Sequence, residues 1–243
     1  RKLAAVRMLF KYLYKKKIIS ADPASLVDTP KIHEKAIVRL DVNEMANFLD
    51  AVESGEKLTD RQKVFHEKTK KRDLAMMTLL LGTGMRVSEC VGINIKDLDF
   101  QNNAVKVTRK GGNEVFLYFG EEVRETLADY LEERQNAPTK DENEDALFLS
   151  MQRKRINVRS VENLVKKYAK LVTPLKKITP HKLRSTYGTS LYRETGDIYL
   201  VASVLGHSDV NTTRKHYAAQ EDQRRKSARN IVQLREKKEQ GPQ

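Results

Sequence analysis

The sequence predicts a mainly α-helical protein carrying one small antiparallel sheet of three strands (α+β). Two observations predict it. Apolar residues recur at helical spacing along most of the chain. In one central window, residues 93 to 119, the period changes to two, and that window is divided by turn signals at Asn102-Asn103 and Gly111-Gly112-Asn113.

The first helix is expected over residues 1 to about 18. Leu3, Val6, Phe10 and Leu13 make its apolar stripe, and Lys11 and Lys15 belong to its basic face. The segment from Ala21 holds Pro23 and Pro30 and no long periodic run, so it reads as a helix end followed by a linker. The linker is expected to continue to Val38, which puts a domain boundary near Arg39. Asp41 and Glu44 then match a capping box, ahead of the stripe Met45, Phe48, Leu49 and Val52. Residues 54 to 71 are polar and charged and read as a loop or a frayed helical extension. A strong helix is expected over 72–81, interrupted by Gly82 and Gly84 and resumed in MRVSECVGI until Gly92.

Ile93, Ile95 and Leu98 suggest the first strand, residues 104 to 109 the second, and Val115, Leu117 and Phe119 the third. Helix returns at 121–134. The segment PTKDENED reads as a surface loop, ALFLS as a short buried extended run, and 157–172 as an amphipathic helix. From Thr179 the pattern is helical, with breaks at Gly196, Gly206 and near Asn211. The charged stretch after Tyr217 has Ile231, Val232 and Leu234 as its main apolar residues. That patch is too small to fold alone, so residues 221–243 are expected to dock on this domain or on another copy of the chain. An opening without Met inside a helical pattern leads us to expect a longer parent chain.

Bulk properties narrow the function. The chain has 243 residues, 39% hydrophobic and 33% charged, a globular composition with no run approaching the roughly 18 apolar residues of a membrane helix. One cysteine, Cys90, excludes an internal disulfide framework and offers no CxxC zinc ligation, which fits a cytoplasmic protein. A net charge of +13 attracts polyanions, and nucleic acid is the expected partner rather than a membrane.

Four chemistry-bearing side chains fall between Thr179 and Tyr217. His181 and Arg184 lie one helical turn apart, His207 follows 23 residues after Arg184, and Tyr217 ten after that. Arg86, just after the Gly82–Gly84 break, shares a helix face with Glu89. Singly, each has a bland explanation: a surface arginine, a capping histidine, a half-buried tyrosine. As a set they suit attack on a phosphodiester. Charge spreads over the phosphoryl oxygens in the transition state, and preorganised cations stabilise it. A guanidinium binds two phosphate oxygens at once. A phenol with pKa about 10 attacks only with such help. With two arginines and no clustered carboxylates, this chemistry needs no metal or other cofactor.

The ordered set Arg, His-x-x-Arg, His and Tyr, with GTGMRVSE, LGHSD and NTTRKHY, resembles the tyrosine recombinases, the phage-integrase family. The resemblance spans residues 40 to 220, and within the family the chain looks most like integrases of conjugative transposons. The resemblance implies that residues 39–243 form a catalytic domain. It implies that residues 1–38 are the end of a helical core DNA-binding domain plus linker. Tyr217 would be the nucleophile and Arg86 and Arg184 the phosphate clamp. His181 and His207 would bond the phosphate and assist proton transfer. Lys110 would protonate the leaving 5′-oxygen, with Lys106 as its rival because RKGGNE departs from the commoner GKGNK. Glu89 would support the site.

Lys11, Lys15, Arg109 and Lys182 are the candidate DNA-contacting cations. The implied partners are double-stranded DNA (a recombination site or Holliday junction), three further copies of the chain in a tetramer, and an accessory excision factor. The tail 221–243 would dock on a neighbouring protomer. A type IB topoisomerase and a non-catalytic DNA-binding regulator are the alternatives. Tyr187, Tyr192 and Tyr199 compete with Tyr217 as nucleophile, but each sits in a core-like helical pattern.

Overall fold

A computed structural model describes residues 2–28, 38–109, 111–136, 145–207 and 210. The expectations placed on Lys110, Tyr217, the linker from Thr29, and the tail 221–243 lie outside the described residues. The chain divides into two compact units, Arg1–Ala36 and Ile37–Gln243.

In the first unit, α1 (Lys2–Lys15) is followed by a single 3₁₀ turn, Pro23–Leu26. Asp22 caps that turn by accepting from the Ala24 amide at 3.1 Å. Arg7 reaches back from α1 to the carbonyls of Ala24 (2.9 Å) and Val27. No residue of α1 is buried, and Met8, Leu9 and Tyr12 are exposed.

The second unit is built on α4 (Lys70–Thr83). Its Ala75, Met76, Met77, Leu79 and Leu80 are all buried, so apolar side chains point in every direction from it. A helix apolar all round must be enclosed. Here α2 (Val42–Ser54), α6 (Glu121–Gln135) and α8 (Pro180–Thr195) pack against it. On α2 the expected capping box is present: Glu44 N–H donates to Asp41 Oδ1 and Asp41 N–H to Glu44 Oε2, both at 2.8 Å. α7 (Val158–Val172) covers α2 with Val161, Val165 and Tyr168.

The sheet is a meander of β1 (Leu98–Asp99), β2 (Ala104–Thr108) and β3 (Glu114–Tyr118), antiparallel throughout. Val105 lies opposite Leu117 and Val107 opposite Val115. Leu117 is buried while Phe116 and Tyr118 on either side are exposed, the alternation a half-covered sheet requires.

Two local expectations change. Within residues 54–71 the chain forms α3 (Asp60–Glu67), capped at Thr59, whose N–H donates to Gln62 at 3.1 Å. Its buried residue is a histidine: His66 bonds the Val52 carbonyl at 2.8 Å. A helix that buries one polar ring and exposes Val64 and Phe65 has no apolar stripe to betray it. Ile93 and Ile95 also fall outside the first strand, because a 3₁₀ turn at Ile95–Asp97 shortens it to two residues. Among the described residues no helix is long and apolar enough to cross a membrane.

Candidate active site

The site begins with two glycines that end helices. α4 stops at Gly84, whose φ of 63° is left-handed, and the chain turns directly into α5 (Val87–Gly92). Arg86 is the N-cap of α5. Glu89 at the third helical position accepts from the Arg86 backbone N–H and from Arg86 Nη1, both at 2.7 Å. The sequence pairing of Arg86 with Glu89 is therefore a real ion pair, and Glu89 is buried with only 7% of its surface exposed.

α9 (Ile198–Leu205) stops at Gly206, also left-handed at φ 59°. A helix end leaves its last four carbonyls without helical partners. Here each of the final carbonyls has an identified donor. Ala202 accepts from His207 N–H and Ser203 from Gly206 N–H, both at 2.9 Å, closing a Schellman turn. Val204 accepts from Arg109 Nη2 at 2.8 Å. Leu205 accepts from Arg184 Nη2. Gly206 accepts from Arg86 Nη2 at 3.2 Å. Three guanidiniums from three separate elements thus converge on three consecutive carbonyls. The negative end of the helix dipole favours them there.

Arg184 is the most enclosed of the three, 6% exposed, and its Nη1 also donates to the Gly84 carbonyl at 2.6 Å. It therefore ties α8 to both glycine turns. His181, one turn earlier on α8, is exposed, and His207, directly after Gly206, is half-buried. Thr179 is the N-cap of α8, and Pro180 stands in the first turn, where proline's missing N–H costs nothing. Tyr187 packs against Gly84: a Cβ there would fall 2.3 Å from Tyr187 Cδ1. Burial pushes the Tyr187 phenol above its ordinary pKa.

The structure brings together Arg86, Glu89, Arg184 and the turn carrying His207, with His181 on the same helix as Arg184. It places Lys11 and Lys15 exposed on α1 and Lys182 partly buried on α8. Lys106 lies 3.3 Å from Glu114 and 3.8 Å from Asp97, paired with two carboxylates. Of the competing tyrosines, Tyr192 is buried and Tyr187 half-buried, but Tyr199 is 71% exposed, because the first turn of α9 faces solvent. Arg109, expected only as a DNA-contacting cation, instead joins the cluster through Val204, which sequence reasoning missed. Its position at the end of β2, beside a double-glycine turn, marks it as a hairpin residue and says nothing of its reach to α9. Among the described residues no group of three or more His, Cys, Asp or Glu gathers to hold a metal ion.

The comparisons with known proteins agree with this geometry. The phage integrase family matches residues 39–224. Tyrosine recombinase XerC of Thermodesulfovibrio yellowstonii is 35% identical over 217 residues, covering 88% of this chain and 68% of the relative. XerC of Caldanaerobacter subterraneus subsp. tengcongensis is 35% identical over 230 residues, covering 93% of this chain and 60% of the relative. The chain thus spans about two thirds or less of the length of these relatives. The solved structure of the Tn1549 transposon integrase with transposon right end DNA superposes with a TM-score of 0.70 over 95% of this chain and 78% of that one. At 22% identity it supports the fold alone. With a family match over most of its length and an arginine-lined helix end where the motifs fall, the chain belongs to the phage integrase family, the tyrosine recombinases.

Proposed function

We propose that this protein is a site-specific DNA recombinase that cuts and rejoins duplex DNA through a covalent 3′-phosphotyrosyl intermediate at Tyr217. The observation that supports it is the meeting of Arg86 and Arg184 at the turn carrying His207. A scissile phosphate beside that turn would meet preorganised guanidiniums whose orientation is fixed before DNA arrives. Such fixed donors stabilise a charged transition state without reorganising.

In this reading the Tyr217 oxygen attacks phosphorus and loses its proton, aided by His181 and His207. The bond to the 5′-oxygen breaks as that oxygen takes a proton from Lys110. The products are a phosphotyrosyl bond and a free 5′-hydroxyl. Attack by a 5′-hydroxyl from a second duplex reverses the steps and joins the strands. The bond energy stays in the phosphotyrosyl link, so no nucleotide cofactor is consumed. The pairing of Lys106 with Glu114 and Asp97 favours Lys110 as the proton donor.

The reading extends to a homotetramer resolving a Holliday junction, with residues 221–243 docking on a neighbouring protomer. It extends also to movement of a mobile element with an accessory excision factor, in the cytoplasm. Lys11, Lys15 and Lys182 would contact DNA phosphates. Residues 1–38 would be the end of a core-binding domain and 39–243 the catalytic domain.

The test is a library of nicked duplexes of random sequence, incubated with protein and resolved under denaturing conditions. A covalent protein–DNA band is expected, and sequencing the trapped DNA gives the site. Tyr217→Phe should abolish the band and leave binding intact; a band that persists in that variant overturns the reading. Exchange between two duplexes carrying the site is expected. Relaxation of supercoiled DNA without exchange would make the protein a topoisomerase of the same chemistry.

A further inference from the structure

Arg109 is anchored at both ends. Its backbone closes the hairpin between β2 and β3: its N–H donates to Asn113 O at 2.8 Å, and its carbonyl accepts from Gly112 N–H at 3.0 Å. The turn between holds Gly111 and Gly112 at φ of 94° and 82°. Its side chain leaves the sheet and reaches the end of α9, donating to Val204 O at 2.8 Å. The guanidinium lies against Gly206. A Cβ on that glycine would fall 2.2 Å from Arg109 Nη1 and 2.5 Å from Cζ. Gly206 is thus required twice, for its left-handed φ and for the close approach of Arg109.

The buried Nε of Arg109 has no hydrogen-bond partner among the described residues. An N–H buried without a partner is a cost, and such costs concentrate where function fixes a side chain's position. A guanidinium placed only to meet a DNA phosphate would not be turned against a helix end and a glycine backbone.

We propose that Arg109 is a positioning residue that clamps the β2–β3 hairpin to the α9 turn and thereby holds His207 beside Arg86 and Arg184. The inference rests on the proposed function, in which His207 touches the phosphate. Arg109 acts through the turn, by the bond to Val204 and the contact with Gly206, and not through the DNA. Lys110, the next residue in sequence, gives the same hairpin a second stake in the site.

The test is a double-mutant cycle on the single-turnover rate of covalent adduct formation. It uses Arg109→Ala, His207→Ala and both together, with the DNA recovered from the library selection. Arg109→Ala is expected to slow cleavage about 10²-fold, the scale of a reacting group displaced by about 1 Å. The double variant should be no slower than His207→Ala alone, because a residue acting through His207 costs nothing further once His207 is gone. Arg109→Lys keeps the charge but offers no planar fork and should recover part of the rate. Run through the same cycle, it carries the test if Arg109→Ala does not fold. DNA affinity and its salt dependence should match the wild type.

Additive losses, or an unchanged rate in Arg109→Ala, would overturn the proposal. So would a salt slope reduced by about 0.9, which would assign the guanidinium to a DNA phosphate. If His207→Ala alone leaves the rate intact while the adduct still forms at Tyr217, the role given to His207 fails and this inference fails with it. If the adduct survives Tyr217→Phe, the failure lies in the proposed function itself.

Discussion

Arg184 donates from Nη1 to the carbonyl of Gly84, 2.6 Å away and 100 residues earlier in the chain, while its Nη2 holds Leu205. One guanidinium therefore fixes two glycine-ended helices against each other, and the geometry at Gly84 is what allows it. Gly84 has φ 63°, and a Cβ there would strike Tyr187 at 2.3 Å and meet Leu205 at 3.0 Å.

Gly84→Ala should therefore do two kinds of harm. Left-handed backbone costs a residue with a Cβ about 1–2 kcal/mol, and the clash with Tyr187 adds to it. A urea midpoint lowered accordingly, at unchanged slope, is the expected measurement. Pairing the substitution with Tyr187→Ala should return the clash contribution and leave the backbone cost. A Gly84→Ala protein as stable as the wild type would show that the turn relaxes freely.

Glu89→Gln is the next informative change. The carboxylate accepts from the Arg86 backbone N–H and from its guanidinium, each at 2.7 Å, with both donors on the same residue. An amide has one oxygen and an NH₂ group, so one of those two donors would face another donor. The expected loss is about 1–3 kcal/mol of stability. In the proposed chemistry adduct formation also slows, because Arg86 is no longer braced. Glu89→Gln with wild-type melting and wild-type cleavage would remove Glu89 from any supporting role.

Away from the site, Asp73 organises the core. It is fully buried and accepts from Arg72 Nη2 at 2.6 Å, from Arg72 Nε at 3.0 Å and from the Tyr168 hydroxyl at 2.9 Å. Arg72 in turn donates to Leu149 O at 2.8 Å. Removing one partner of a buried pair leaves the other charge stranded, so Asp73→Ala should cost about 3–5 kcal/mol. Tyr168→Phe removes only one bond to a charged acceptor and should cost about 1.5–3 kcal/mol. Denaturant melts of the two variants rank them; the reverse order would mean the carboxylate is not what holds α4 to α7.

Most helices and the sheet were legible because their signals are local. The capping box at Asp41 and Glu44, the period-two run at 104–108 and the glycines ending α4 and α9 need no tertiary information. α3 was not legible, because what it buries is an imidazole paired with a backbone carbonyl. The pairing of Arg86 with Glu89 followed from spacing on one helix. The place of Arg109 did not. It depends on a contact across 95 residues between a strand end and a helix end, and no local pattern encodes that contact. Tyr199 misled for the opposite reason: its helical spacing was real, but the face it lies on is open to solvent.

The buried phenols set the behaviour at high pH. Burial raises the pKa of Tyr130, Tyr168 and Tyr187, and at Tyr168 the neighbouring Asp73 charge raises it further. In the unfolded chain each ionises near pH 10. The folded protein therefore keeps protons that the unfolded chain has already released, and stability falls as pH rises past about 10. Below that pH the contribution is fully present. Lys167 works the other way, since burial lowers its pKa and folding gains as it loses its proton, but it is one group against the three phenols and the Cys90 thiol, which burial also pushes up. Denaturant midpoints between about pH 9 and 11 should therefore decline in the wild type. In Tyr168→Phe, lower at the start, the decline should be shallower, because one of the protons held on folding is gone. Equal slopes in the two proteins would show that the folded protein holds the Tyr168 proton no more tightly than the unfolded chain does, against the hydrogen bond to Asp73.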